Sequence, residues 1–181
     1  VNLANLYVIS DQIEKAKKTY ETIGESSENK LISLNGISLA YHLEGNNKKA
    51  LNTSKSALDS TDKNTTETLK NKTTERYIQA LIWNKKYAAA TTAIRQLLDH
   101  NENPENWMLS LRATLNVYKS DFKKSLKDYN LILEKDSASF DGNLGKANIL
   151  KASGYINEAY KSAEKTLQFY ENQKDAMNFI K

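Results

Sequence analysis

The 181-residue chain carries 26 basic and 22 acidic side chains, a net charge of +4 spread along its whole length. Lys and Glu mixed in this way make solvated helix faces, whereas a nucleic-acid site gathers its charge on one face. Without cysteine there is no disulfide, thiol nucleophile or zinc–thiolate site, and no apolar run approaches the roughly 20 residues of a membrane-spanning helix.

One proline and six glycines leave little room for β-turn architecture, and the sequence reads as all-helical. Its framework is a set of small residues. Ala16, Ala50, Ala90, Ser125 and Ala159 recur at intervals of 34, 40, 35 and 34. Twelve positions before four of them stand Ala4, Ser38, Ala113 and Ala147, with Ile78 breaking the rule in the third case. Two helices of a hairpin approach to about 8–10 Å, and small residues at the contact permit the near end of that range. A fixed period near 34 with paired small positions predicts stacked helix–turn–helix repeats. No single repeat buries its own apolar face, so neighbours stack into one array.

In chain order the repeats are 1–30, 31–64, 71–104, 106–139 and 140–173. Each reads as helix A, a turn and helix B. The turns fall at Ser10-Asp11, Gly45-Asn46-Asn47, Asn84-Lys85-Lys86, Ser120-Asp121 and Ser153-Gly154, residue types that end one helix and cap the next. Leu34, Ile37, Tyr41 and Leu126, Tyr129, Leu133 recur at helical spacing and are packing residues. Tyr7, Tyr41, Leu81 and Leu150 stand three residues after the first small position, where Asn116 is a departure without an evident cause. About six extra residues around Ser60–Lys72 form either a longer loop or a lengthened helix. Sequons at Asn52, Asn64 and Asn71 are expected by chance in an Asn- and Thr-rich chain. Residues 174–181 read as the first turns of a helix capping the last repeat. The chain opens at Val1 without methionine, as expected of a processed or excised piece.

The pattern resembles the tetratricopeptide repeat (TPR) family. The second repeat carries it as Leu34, Ile37-Ser38, Tyr41, Gly45, Ala50 and Ala57; the first as Leu3-Ala4, Tyr7, Ala16 and Tyr20. Leu109, Ala113, Ser125 and Tyr129 carry it in the fourth, and Ala147, Leu150, Gly154 and Ala159 in the fifth. The resemblance implies a right-handed α-α superhelix, a solenoid of about five units plus a capping helix, as a single array over 1–181. It also implies a concave surface lined by the A helices that binds a peptide or an extended segment of a partner.

On that pattern the groove positions are Asn5 in the first repeat and Asn35, Leu39 and His42 in the second. The third offers Lys72, Arg76, Gln79 and Trp83, the fourth Trp107, Thr114 and Tyr118, and the fifth Asn148. Aromatics supply rigid contact area and Asn pairs with backbone amides. Some family members clamp a peptide carboxylate with five residues. Asn5, Lys72 and Arg76 match three of those positions, while Val1 and Gly36 stand where Lys and Asn are required. Lys72 and Arg76 either favour an acidic ligand group or pair with Glu67 or Glu75 on their own helix. Trp83 and Trp107 are either binding anchors or interhelical packing.

Catalysis has no foothold. His42 and His100 are the only histidines and lie on different repeats, without metal-ligand spacing, a phosphate loop or a nucleophile–base pair. The expected protein is therefore a non-enzymatic scaffold without cofactor or metal, with a protein or peptide partner and no nucleic acid or membrane insertion. Association through the ends of the solenoid is a further possibility the repeat leaves open. An alternative is a periplasmic assembly or transport module of a larger envelope protein. Cytoplasmic and periplasmic locations are both compatible with the sequence.

Overall fold

The computed structural model describes residues 1–24, 29–99 and 101–170. They form ten α-helices: α1 (Asn2–Ile9), α2 (Ile13–Ile23), α3 (Lys30–Leu43), α4 (Asn47–Asp59), α5 (Glu67–Trp83), α6 (Tyr87–Asp99), α7 (Asn106–Tyr118), α8 (Phe122–Lys135), α9 (Phe140–Ala152) and α10 (Ile156–Tyr170). Taken in pairs they are the five helix–turn–helix repeats that the small residues predict. The capping segment expected at 174–181 lies outside the described residues. Two compact bodies are resolved, an amino-terminal half of residues 1–93 and a carboxy-terminal half of residues 94–181; α6 runs through the division.

All five turns have the same backbone chemistry. Asp11, Gly45, Lys85, Ser120 and Gly154 take positive φ, between 57° and 84°. Each N–H bonds the carbonyl three residues back, and the next N–H reaches five residues back: Gln12 to Tyr7, Asn46 to Tyr41, Lys86 to Leu81, Asp121 to Asn116 and Tyr155 to Leu150, at 2.8–2.9 Å. This double closure satisfies carbonyls that a helix end otherwise leaves unpaired. The five acceptors are the residues three after each first small position. Asn116 thus fills its slot through its backbone, which is indifferent to the side chain. The left-handed residue lies five positions before each of the second small residues, so turn and contact point recur together. Asn46 and Asp121 then cap the next helix, their side chains accepting from Lys49 N and Lys124 N.

In the amino-terminal half Ala4, Ala16, Ser38, Ala50 and Ala90 are fully buried, as is Ile78 despite its size. Ser38 Oγ donates to Ala50 O at 2.8 Å and ties its hairpin at the contact point. The long interval between repeats resolves into both of the forms the sequence allowed. Residues 60–66 are a loop, and α5 starts at Glu67, four residues before the repeat boundary drawn at 71. Asp62 organises the loop by accepting from Asn64 N and Thr65 N at 2.9 Å, and Thr66 Oγ1 caps α5 by accepting from Leu69 N.

The carboxy-terminal half packs Leu109, Ala113, Tyr129, Ile132 and Ile149 into one cluster, with Leu98, Val117, Phe122, Leu126 and Leu131 around it. Its small contacts, Ala113, Ser125, Ala147 and Ala159, are buried as well. Ser139 caps α9 by accepting from Gly142 N. Lys135 at the end of α8 donates to Asn103 Oδ1 and Pro104 O at 2.6 Å, pinning the strap that precedes α7.

Candidate peptide-binding surface

Eight of the twelve expected groove residues fall in the amino-terminal half, and most of them are joined there by one network. It starts at the turns. Asn47, the first residue of α4, pairs its Oδ1 with His42 Nδ1 at 2.7 Å. Its backbone oxygen accepts from Asn84 Nδ2 at 2.6 Å, and the same amide donates to Ala80 O at 2.9 Å. Asn84 is the C-cap of α5, so these bonds hold the last turns of α3 and α5 in register. Within that register the His42 ring lies flat on the Trp83 indole, 3.7 Å between centroids and 1° between planes. Stacked aromatics of this kind add about 0.5–1.5 kcal/mol to the area they bury.

Arg76 precedes Trp83 by two turns on the same face of α5, and its guanidinium carbon lies 5.7 Å from the indole centre, within cation–π range. Its Nη1 donates to Gln79 Oε1 at 2.8 Å, while Nε has no hydrogen-bond partner. Burial pulls the guanidinium below its ordinary pKa, against the opposing pull of Glu75 and Tyr20. Glu75 is shared: Gln79 Nε2 donates to it at 3.1 Å and Lys72 Nζ lies 3.2 Å away. The pairing expected along this helix therefore holds for Lys72, whereas the hydrogen bond of Arg76 goes to a neutral amide. Asn35 is buried on α3 and donates from Nδ2 to Thr73 Oγ1 at 2.9 Å, leaving its Oδ1 without a partner. Leu39 is half-buried beside this set. Asn5 stands apart, accepting from the Tyr20 hydroxyl at its Oδ1.

The other four residues belong to the carboxy-terminal half. Trp107 is half-buried near the start of α7, Tyr118 and Asn148 are exposed on α7 and α9, and Thr114 pairs with the Tyr129 hydroxyl.

Several contributors escaped the sequence reading. Asn47 and Asn84 were seen only as turn residues, and Glu75 only as an ion-pair partner. Arg112 and Asp128 form a pair between α7 and α8: Nη2 lies 2.6 Å from Oδ1, and Nε lies 3.1 and 3.0 Å from the two oxygens. Asp128 sits three residues after Ser125 on the buried stripe of α8. A carboxylate at that spacing was the available signal.

No protein-family model matches the chain, and no curated protein matches its sequence. Solved structures do match. One is a tetratricopeptide repeat protein from Parabacteroides merdae ATCC 43184, 17% identical with a TM-score of 0.68, over 92% of this chain and 62% of that one. A second is MamA 41-end from Desulfovibrio magneticus RS-1, 12% identical with a TM-score of 0.57, over 96% and 94%. A third is YrrB, described as a TPR protein with an unusual peptide-binding site, 15% identical with a TM-score of 0.52, over 98% and 88%. The chain therefore has an all-α helical-repeat fold of the tetratricopeptide type.

Proposed function

We propose that the protein is a non-catalytic interaction scaffold that binds an extended segment of a protein partner along the A helices of its amino-terminal half. The observation that carries this reading is the Arg76–Trp83–His42 set. A stacked aromatic pair offers a rigid apolar platform, and beside it stands a cation whose own hydrogen bond goes to an amide. Lys72, exposed one turn earlier, adds a second cation at the rim. Such a surface suits a peptide carrying an apolar side chain next to an acidic group, held by charge-assisted hydrogen bonds. YrrB, a structural neighbour described by its peptide-binding site, shares this fold and lends support. Trp107, Tyr118 and Asn148 are proposed as secondary contacts in the other half.

Selection of a displayed random-peptide library on the purified chain tests the proposal. Selected peptides are expected to contain an Asp or Glu near an apolar residue. Measured by titration calorimetry, their affinity is expected to fall at least about tenfold with Lys72→Ala plus Arg76→Gln, since a charge-assisted hydrogen bond contributes about 1.5–3 kcal/mol. Circular dichroism must show the variant equally helical. Peptides that bind this variant as well as the parent chain would place the binding surface elsewhere.

A further inference from the structure

One register position carries an apolar side chain in each of the first three repeats. Five residues after the first small position stand Ile9, Leu43 and Trp83, and each is the last residue of its helix, α1, α3 or α5. Ile9 is 75% exposed and Leu43 49%, while Trp83 is half-buried under the stacked ring of His42. The exposure of Leu43 does not come from a chain end, because α3 has a repeat on either side. α3 packs against both α1 and α5. The three side chains therefore form a row across the helices at one level, with a step of about 8–10 Å, the spacing of packed helices.

From this row we infer that the ligand of the surface is a segment in polyproline II conformation with an apolar residue at every third position. The inference rests on the peptide-binding reading above and specifies the ligand. A polyproline II chain has three residues per turn and rises about 3.1 Å per residue, so side chains i, i+3 and i+6 share one face about 9 Å apart. That step matches the row. A β-strand returns a side chain to the same face about 6.6 Å on and is out of step by the next repeat. Polyproline II also makes no internal or ladder hydrogen bonds, which suits a surface of helices whose own backbone groups are paired. Charge fixes where the acidic group of the ligand stands. α1 has no charged residue and the one lysine of α3 is its first residue, Lys30. Arg76 and Lys72, by contrast, share the face of Trp83 on α5. The acidic residue therefore neighbours the apolar residue seated on Trp83, and those on Leu43 and Ile9 have neutral neighbours.

Fluorescein-labelled peptides of one composition test the inference by anisotropy titration against the full chain. Each contains three Leu, one Glu beside an outer Leu, and Pro and Gln elsewhere. They differ in whether Leu recurs every second, third or fourth residue, and each spacing is made with Glu at either end. The better every-third peptide is expected to bind at least about tenfold more tightly than any peptide of the other spacings, because only it seats all three Leu on the row. Leu43→Ser, checked for unchanged helicity, is expected to weaken that peptide several-fold. It should have no further effect once the middle Leu of the peptide is replaced by Ala, the coupling expected of residues in contact. Equal binding at all spacings, preference for another spacing, or a Leu43→Ser loss indifferent to the middle Leu would overturn the inference and leave the surface in place. So would library-selected peptides that bind through Lys72 and Arg76 without this spacing while the every-third peptides do not bind. If neither the library nor these peptides yield binding, the inference and the peptide-binding reading fall together.

Discussion

Tyr20 lies over Gly36 and Tyr129 over Gly145, and in both joints the glycine follows the tyrosine by sixteen residues on the next helix A. The ring occupies the space a Cβ would need, and a Cβ on either glycine would penetrate the ring carbons. Each hydroxyl then reaches the residue just after its own repeat's first small position, Asn5 or Thr114. Gly145→Ala is expected to cost roughly 1–3 kcal/mol, the usual range for overpacking a tight site, read from urea unfolding. Adding Tyr129→Leu should recover part of that loss. Burial raises the phenol pKa of Tyr129, with a smaller opposing effect of its bond to Thr114. The native chain thus keeps a proton that the unfolded chain loses above the ordinary value of 10.0. The associated stability is present below pH 10 and declines as pH rises beyond it. Unfolding midpoints measured from pH 8 to 11 should show this decline, and Tyr129→Phe should make it shallower.

At the scale of elements, the five turns share one geometry but not one residue. Gly45 and Gly154 adopt positive φ without strain, while Asp11, Lys85 and Ser120 hold the same conformation with a Cβ. A left-handed non-glycine residue costs about 1 kcal/mol relative to glycine, and open space surrounds Gly45. Lys85→Gly is therefore expected to raise stability by about 1 kcal/mol and Gly45→Ala to lower it by a similar amount, both by urea unfolding. The loop before α5 depends on a carboxylate. The Thr65 hydroxyl and then the Asn64 N–H hold the Asp62 pKa below the ordinary 3.8. Its contribution is present above that value and is lost as pH falls through the depressed one. Protection of the Asn64 and Thr65 amides against exchange, taken relative to the intrinsic rate at each pH, should fall on acidification through that range in the parent chain. With Asp62→Ala the protection should be low at every pH.

For the whole molecule, the charge pattern argues for a protein rather than a nucleic-acid partner. The 26 basic and 22 acidic groups are interleaved, and several cations are spent on close carboxylates, as Lys17 is on Glu14 and Glu44 at 2.7 and 2.5 Å. A filter-binding assay with mixed-sequence RNA at physiological ionic strength should retain nothing above background, because acidic groups interleaved with the basic ones offset the counterion release that holds a nucleic acid. Retention that falls steeply with salt would refute this.

The sequence by itself determined the repeat. Small residues at a fixed period, and turn residues five positions before the second of each pair, record constraints of helix contact and helix termination that act locally, so ten helices and five turns were legible. The start of α5 was legible only as a choice, since Thr66 caps a helix through geometry that a polar stretch does not display. The surface was legible in part. Helical phase brought Lys72, Arg76, Gln79 and Trp83 to one face of α5, but phase is silent on what faces them across the repeat. That Trp83 receives the ring of His42, and that Asn47 and Asn84 hold the two helices in register, depended on side-chain packing between helices about forty residues apart in sequence, whereas the choice of Lys72 for Glu75 and of Arg76 for Gln79 was made among neighbours on α5 itself. Only the tertiary structure decides such matters, because periodicity encodes which residues turn inward and the choice among inward partners is settled by shape, distance and burial once the helices meet.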